Sequence, residues 1–189
     1  ARTGLRRGEV AGLAWSRVDL VHLLLVVDTA AVRIRAPGGP RVELKAPKAG
    51  QGAVIPIDEE TAALVEAQQQ WQLEQCREAE CQIARAPFLW AAVPPFERPL
   101  SPDTLSSWFM DARADAGVVG VRLHDLRHWA GSQLGDAVRA VPGASRADVQ
   151  RMLRHAQPQT TDRYLHAEED HAVRRRLLEH LPTLELPEG

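Results

Sequence analysis

The 189 residues are 44% hydrophobic and 25% charged, an ordinary balance for one globular domain large enough to bury a core. The longest apolar run, Leu23–Val27, is strand-sized, which excludes a membrane-spanning helix, and Ala1–Arg7 holds no apolar stretch of the kind a secretory leader needs. The formal net charge of −2 offers no bulk attraction to a polyanion, and Cys76 and Cys81, without a companion ligand cluster, make neither a zinc site nor a disulfide framework.

The first element is a helix whose inner face is Val10, Leu13 and Ala14, with Arg6 and Glu9 three residues apart on one side. Leu24–Ile34, Arg41–Lys45 and Ala53–Ile57 then read as strands, rich in Val, Ile and Leu. Ala36–Pro40 and Pro47–Gly52 separate them as turns, so a small antiparallel sheet is expected. Asp58 is a suitable N-cap for a long helix running to about Ala84, with Leu64 and Trp71 toward the core. After the proline-bearing stretch 87–99, Ser101-Pro102-Asp103 starts a helix with Leu105, Trp108, Phe109 and Ala112 on its inner stripe, stopped by Gly117.

Leu123 to about Leu134 is the next helix. Ser145–Asp148 caps another with Val149, Met152 and Leu153 inward, and a short one begins at Thr161. Ala172, Val173, Leu177, Leu178 and Leu181 trace a final amphipathic helix. The fold class is α+β, mostly α-helical, with a small three-stranded antiparallel sheet near the N-terminus. Lys45 and Lys48 are the sole lysines, so every other basic residue is an arginine, the side chain that grips phosphate in a fixed fork. Acidic residues gather in 58–80 and 168–170, which leaves 1–17 and 122–154 as arginine-rich surface.

Three clusters carry chemistry. Thr3-Gly4-Leu5-Arg6-Arg7-Gly8-Glu9 opens the chain; His124-Asp125-Leu126-Arg127-His128 lies in its second half; Leu153-Arg154-His155 is followed by Thr161-Asp162-Arg163-Tyr164. In order and spacing these resemble four signature boxes of the tyrosine site-specific recombinases, the phage-integrase type of enzyme: G-L-R-x-x-E, H-x-x-R, L-G-H and T-x-x-Y. The resemblance spans Thr3 to about Leu181. It implies a tyrosine-recombinase catalytic-domain fold for residues 1–182, N-terminally truncated and without the core-binding domain, with 183–189 as a flexible tail. It departs from the pattern at Arg154, which stands where the family has glycine, and in the long connection Gly135–Ser145.

The same resemblance implies the division of labour. Arg6 and Arg127 hold the non-bridging oxygens of a scissile phosphate, and His124 and His155 complete the phosphate pocket. Tyr164, the one tyrosine of the chain, attacks phosphorus and leaves a 3′-phosphotyrosyl link. A lysine protonates the departing 5′ oxygen, and Glu9 orients an active-site arginine. Chemistry agrees with each role. Charge gathering on the equatorial phosphate oxygens calls for fixed cationic donors; a phenol of pKa about 10 needs help losing its proton; an alkoxide needs an acid. Lys48 sits in the loop and Lys45 in the strand, so Lys48 is the favoured acid. No metal or organic cofactor is implied. The implied partners are double-stranded DNA and further copies of the chain, as a tetramer on paired sites, with the helix around Ala172–Leu181 packed on a neighbouring protomer in the DNA-bound assembly. No membrane is implied, and the expected setting is cytoplasmic and nucleoid-associated, for a bacterial or phage-encoded protein.

Two other readings compete. His124 and His128, at i and i+4 around an acid, mimic the paired histidines of zinc metallohydrolases, although Arg127 puts a fixed cation beside them; His155, His166 or Glu168 would have to add the third ligand. The other is a DNA-binding remnant of an integrase that grips without cutting. Left to themselves, His128 and His166 read as structural, and His22, His171 and His180 as surface residues.

Overall fold

The computed structural model describes residues 2–47, 52–84, 87–153 and 167–181. Lys48, Arg154, His155, Tyr164 and His166, the expected short helix after Thr161 and the tail 183–189 all lie outside them.

The described chain holds five strands and six helices. Helix α1 (Arg7–Ala11) leads through a single turn at Trp15–Arg17 into β1 (Val18–Asp19) and β2 (Leu24–Val27). β3 (Ala30–Ala36) and β4 (Gly39–Lys45) form a hairpin, and β5 (Ala53–Pro56) returns to the sheet. The antiparallel three-stranded sheet has the order β1-β2-β5, with Val18 opposite Leu25 and Leu25 opposite Ile55. The β3–β4 hairpin pairs with itself, Ala30 opposite Lys45 and Ala36 opposite Gly39.

The sheet is therefore three-stranded as expected, but its strands differ from those read in the sequence. The apolar stretch from Leu24 to Ile34 breaks at Asp28-Thr29 into β2 and β3, which join different ladders. Burial explains the split. Leu25 and Val27 alternate into the core, whereas in β3 Ala31 is the one buried residue and Val32, Arg33 and Arg35 are exposed. β3–β4 is a projecting hairpin rather than a core layer.

Helix α2 (Glu59–Glu78) starts at Asp58, whose side chain accepts a bond from the Thr61 amide at 2.8 Å. It ends at Glu78, short of Ala84. Leu64 is 42% exposed rather than facing the core, and Trp71, 44% exposed, meets buried Phe96 with ring centroids 5.7 Å apart; Ala62, Val65, Gln72 and Cys76 form the inner face. Gln72 is accommodated because its amide receives the Trp15 indole N–H at 2.7 Å and donates to the carbonyls of Phe88 and Leu89.

Helix α3 (Pro102–Asp115) has the expected Ser101 cap with proline in its first turn. Its stripe is shallower than expected: Leu105 and Phe109 are half-buried, while Trp108 and Ala112 are exposed. Helices α4 (Leu123–Ala137), α5 (Arg146–Leu153) and α6 (Ala167–Glu179) build one core, with Leu134, Ala137, Val149, Met152, Leu153, Leu177, Leu178 and Leu181 in mutual contact. Ser145 caps α5 through Asp148 as read from the sequence. Leu177, Leu178 and Leu181, in and just after α6, are thus covered by their own chain. A second core lies under β2 and α2 with Leu13 and Leu89, and a third joins Cys76, Phe88, Ala91 and Phe96.

The start of the chain is locked into this frame. Arg2, read as surface, is buried; its Nε meets Asp58 Oδ2 at 2.6 Å and its Nη2 donates to the Leu178 carbonyl at 2.9 Å. One guanidinium thereby ties the first residues to the start of α2 and the end of α6. No described helix is long and apolar enough to cross a membrane.

Candidate active site

Arg6 sits in extended backbone immediately before α1, and Glu9 lies three residues on. The Glu9 carboxylate accepts the Arg6 amide at 2.7 Å and the Arg6 guanidinium at 3.0 Å. At 1% exposure, this carboxylate is enclosed by the groups it binds. The i,i+3 spacing read in the sequence is therefore a real contact, and it fixes the arginine at both its main chain and its side chain.

Arg127 comes from the second turn of α4 and is 7% exposed. Its Nη1 donates to the Gly4 carbonyl and its Nη2 to the Leu153 carbonyl. Gly4 makes this approach possible. Its φ of +58° lies where an L side chain is strained, and a Cβ there would stand 2.5 Å from Leu153 Cδ2. Burial, together with the nearby positive charge of Arg6, pulls the Arg127 pKa below its ordinary value, and the Glu9 carboxylate acts in the opposite direction. Arg6, Glu9 and Arg127 are thus one electrostatic unit. Two guanidiniums and one carboxylate leave one net positive charge.

His124 stands one turn before Arg127 on α4. Its ring meets that of His128 edge-to-face with centroids 4.8 Å apart, and both histidines are exposed. His124 and Arg127 line a pocket of about 140 Å³ with Thr3, Leu5 and Arg7. Arg7, rather than Arg6, contributes to that wall. The α4 start is held by Asp125, which accepts the Arg122 amide at 2.8 Å and the Arg122 guanidinium at 3.0 Å. Those bonds draw the Asp125 carboxyl down to about 2. Among the described residues no group of three or more His, Cys, Asp and Glu is placed to hold a metal ion, so His124 and His128 gain no described third ligand.

Of the residues expected to act, the structure brings Arg6, Glu9 and Arg127 near one another and sets His124 beside Arg127 in a pocket that Arg6 does not line; Lys48, His155 and Tyr164 are not described. Lys45 ends β4, exposed and 3.9 Å from Glu43, as a strand lysine should be. Sequence reasoning missed the neighbouring ion-pair bridge. Asp103, at the start of α3, meets Arg7 at 3.3 Å and Arg33 of the hairpin at 2.9 Å. These three residues line a groove of about 810 Å³ beside β3. Nothing in the local sequence signals this bridge, because its members lie 26 to 96 positions apart.

The model of the family described as "Phage integrase family" matches residues 1–171. The chain belongs to the phage integrase family. Its fold is that of the tyrosine recombinase catalytic domain. It is similar to the Tn1549 transposon integrase in complex with transposon right-end DNA, at 19% identity and a TM-score of 0.57, over 90% of this chain and 55% of that one. The same integrase in complex with a circular intermediate DNA gives a TM-score of 0.61 at 19% identity, over 89% and 55% of the two chains. XerA recombinase gives 0.56 at 22% identity, over 97% and 56%. The chain spans just over half the length of these structures. No curated protein sequence matches it significantly.

Proposed function

We propose that this chain is the catalytic part of a site-specific DNA recombinase that breaks and rejoins strands through a 3′-phosphotyrosyl link. The observation that carries this reading is that Arg6, held by buried Glu9, lies near enough to Arg127 to act on its charge, with His124 one turn before Arg127 on α4. A phosphodiester bears one negative charge, and Arg6, Glu9 and Arg127 together leave one positive charge to meet it. In the transition state more charge gathers on the equatorial oxygens, where two pre-oriented guanidiniums are worth most. Arg127 keeps donors beyond the two aimed at carbonyls, and these suit a phosphate oxygen.

In this proposal Tyr164 attacks phosphorus, His124 and His155 complete the phosphate pocket, and Lys48 protonates the leaving 5′ oxygen. Double-stranded DNA is the substrate, and a tetramer on paired sites is the working assembly. Residues 1–182 form the catalytic domain. The test is covalent capture. The protein is incubated with fragmented DNA of its source in EDTA, denatured in detergent and digested, and the peptide carrying nucleotide is sequenced. A nucleotide remnant on Tyr164, lost in Tyr164→Phe, is expected. Cleavage that requires zinc and leaves no DNA attached would overturn the proposal in favour of hydrolysis at His124 and His128.

A further inference from the structure

Helix α2 ends in a way that places the two cysteines of the chain together. Glu80 has φ +49°, the left-handed conformation that terminates helices. The Cys81 amide then donates back to the Cys76 carbonyl at 2.9 Å, and the Glu80 amide to the Arg77 carbonyl at 3.2 Å. This pair of bonds defines a Schellman turn, in which the side chains three residues before the cap and two residues after it come into contact. Here those two positions are Cys76 and Cys81. Cys81 packs against the core cluster that contains Cys76, Phe88, Ala91 and Phe96. Both thiols are free. Spacing alone did not reveal the pair, since residues five apart on an unbroken helix lie on different faces.

We propose that Cys76 and Cys81 form a thiol–disulfide site at the C-terminal cap of α2, oxidised by a peroxide or by glutathione disulfide. The two sulfurs have distinct parts. Cys76 is 3% exposed, and burial, reinforced by the neighbouring Cys81, pushes its thiol above the usual range; Cys81 is more accessible. Cys81 therefore meets the oxidant first. With hydrogen peroxide its thiolate displaces hydroxide from the O–O bond and becomes a sulfenic acid. The Cys76 sulfur then attacks the Cys81 sulfur, the S–O bond breaks, and the Cys76 proton leaves with the hydroxide as water. Two thiols and one peroxide give one disulfide and two waters. With glutathione disulfide the same pair passes through a mixed disulfide and releases two reduced glutathiones. The site lies behind the segment that pairs with the exit of α1, where Ala14 bridges Phe88 and the Leu89 amide donates to the Leu13 carbonyl at 2.8 Å.

The experiment equilibrates the full chain in glutathione redox buffers, folded and in urea, then alkylates it and measures intact mass. In the folded chain both thiols are expected to disappear together, leaving a species lighter by about two mass units without bound glutathione. The equilibrium should favour that species at least about tenfold over the chain in urea, about 30 mV for a two-electron couple. Glu80→Pro, which cannot adopt positive φ, should abolish the advantage, whereas Glu80→Gly, which adopts it freely, should retain it. Accumulation of glutathione adducts on the folded chain would overturn the proposal. So would equal disulfide formation in urea, or an advantage that Glu80→Pro leaves intact.

Discussion

Arg127 aims two guanidinium donors at main-chain carbonyls, so one side chain joins α4 to the opening turn at Gly4 and to the end of α5 at Leu153. Its stabilising and proposed phosphate-gripping roles coincide. Arg127→Met keeps much of the apolar stem but leaves two carbonyls without their donor and Glu9 with one positive neighbour fewer. A loss of about 2–4 kcal/mol in urea unfolding is expected, together with loss of DNA capture. Unchanged stability would show that the two carbonyls find other partners. Asp125 offers a pH test at the same helix. Its folded pKa of about 2 lies below the ordinary 3.8, so its contribution is fully present above pH 4 and disappears as pH falls toward 2. In Asp125→Asn the decline of melting temperature between pH 4 and 2 should be shallower than in the parent chain. Equal slopes would mean that other carboxylates carry the acid sensitivity. The Arg6–Glu9 contact was legible from spacing, because three residues is one turn. The carbonyl partners of Arg127 were not, because backbone acceptors leave no trace in residue identity.

Helix α1 lies so close to β3 that its glycines touch strand backbone. A Cβ on Gly8 would stand 2.7 Å from the Ala31 carbonyl oxygen, and one on Gly12 would stand 2.7 Å from the Ala31 nitrogen. Asp103 adds a second link between the hairpin and the helical frame through Arg33 and Arg7, but these side chains are about half exposed. Magnitudes decide which link matters. Backbone against a new methyl group has little room to yield, so Gly8→Ala should cost about 1–3 kcal/mol. It should also speed hydrogen exchange at the amides bonding β3 to β4. Asp103→Ala removes solvent-screened pairs, and a change below about 1 kcal/mol is expected. The reverse ranking would make the ion-pair bridge the principal anchor of the hairpin. Strand positions were legible from Val, Ile and Leu content, yet the pairing was not. Leu24 to Ile34 is apolar enough to pass for one strand, and only tertiary packing buries Leu25 and Val27 while leaving Val32 in water. Leu64 failed for the same reason, since a large apolar residue on a long polar helix does not announce which face is covered.

Across the described residues, Arg2 meets the last helix. Arg2 bonds to the Leu178 carbonyl, and Leu177 and Leu178 sit in one core with Leu134, Met152 and Leu153. The amphipathic pattern of the last helix was legible; its packing on α4 and α5 of the same chain was not, because an apolar stripe records that it needs cover without recording whose. Here the cover is intramolecular, and that has a measurable consequence. If α6 docked on a neighbour, unfolding would be linked to association and its midpoint would rise with protein concentration. With α6 buried against its own α4 and α5, the urea midpoint should be the same over a hundredfold range of concentration. Leu178, 1% exposed, loses its packing on truncation, and Leu178→Ala should cost about 2–5 kcal/mol at every concentration tested. Because Arg2 meets the Leu178 main chain and not its side chain, Arg2→Met removes a different interaction at the same place. The two changes converge on one helix end, so their costs should combine non-additively, by about 0.5 kcal/mol or more. A midpoint that climbs with concentration, or a Leu178→Ala penalty that vanishes on dilution, would return α6 to a partner subunit.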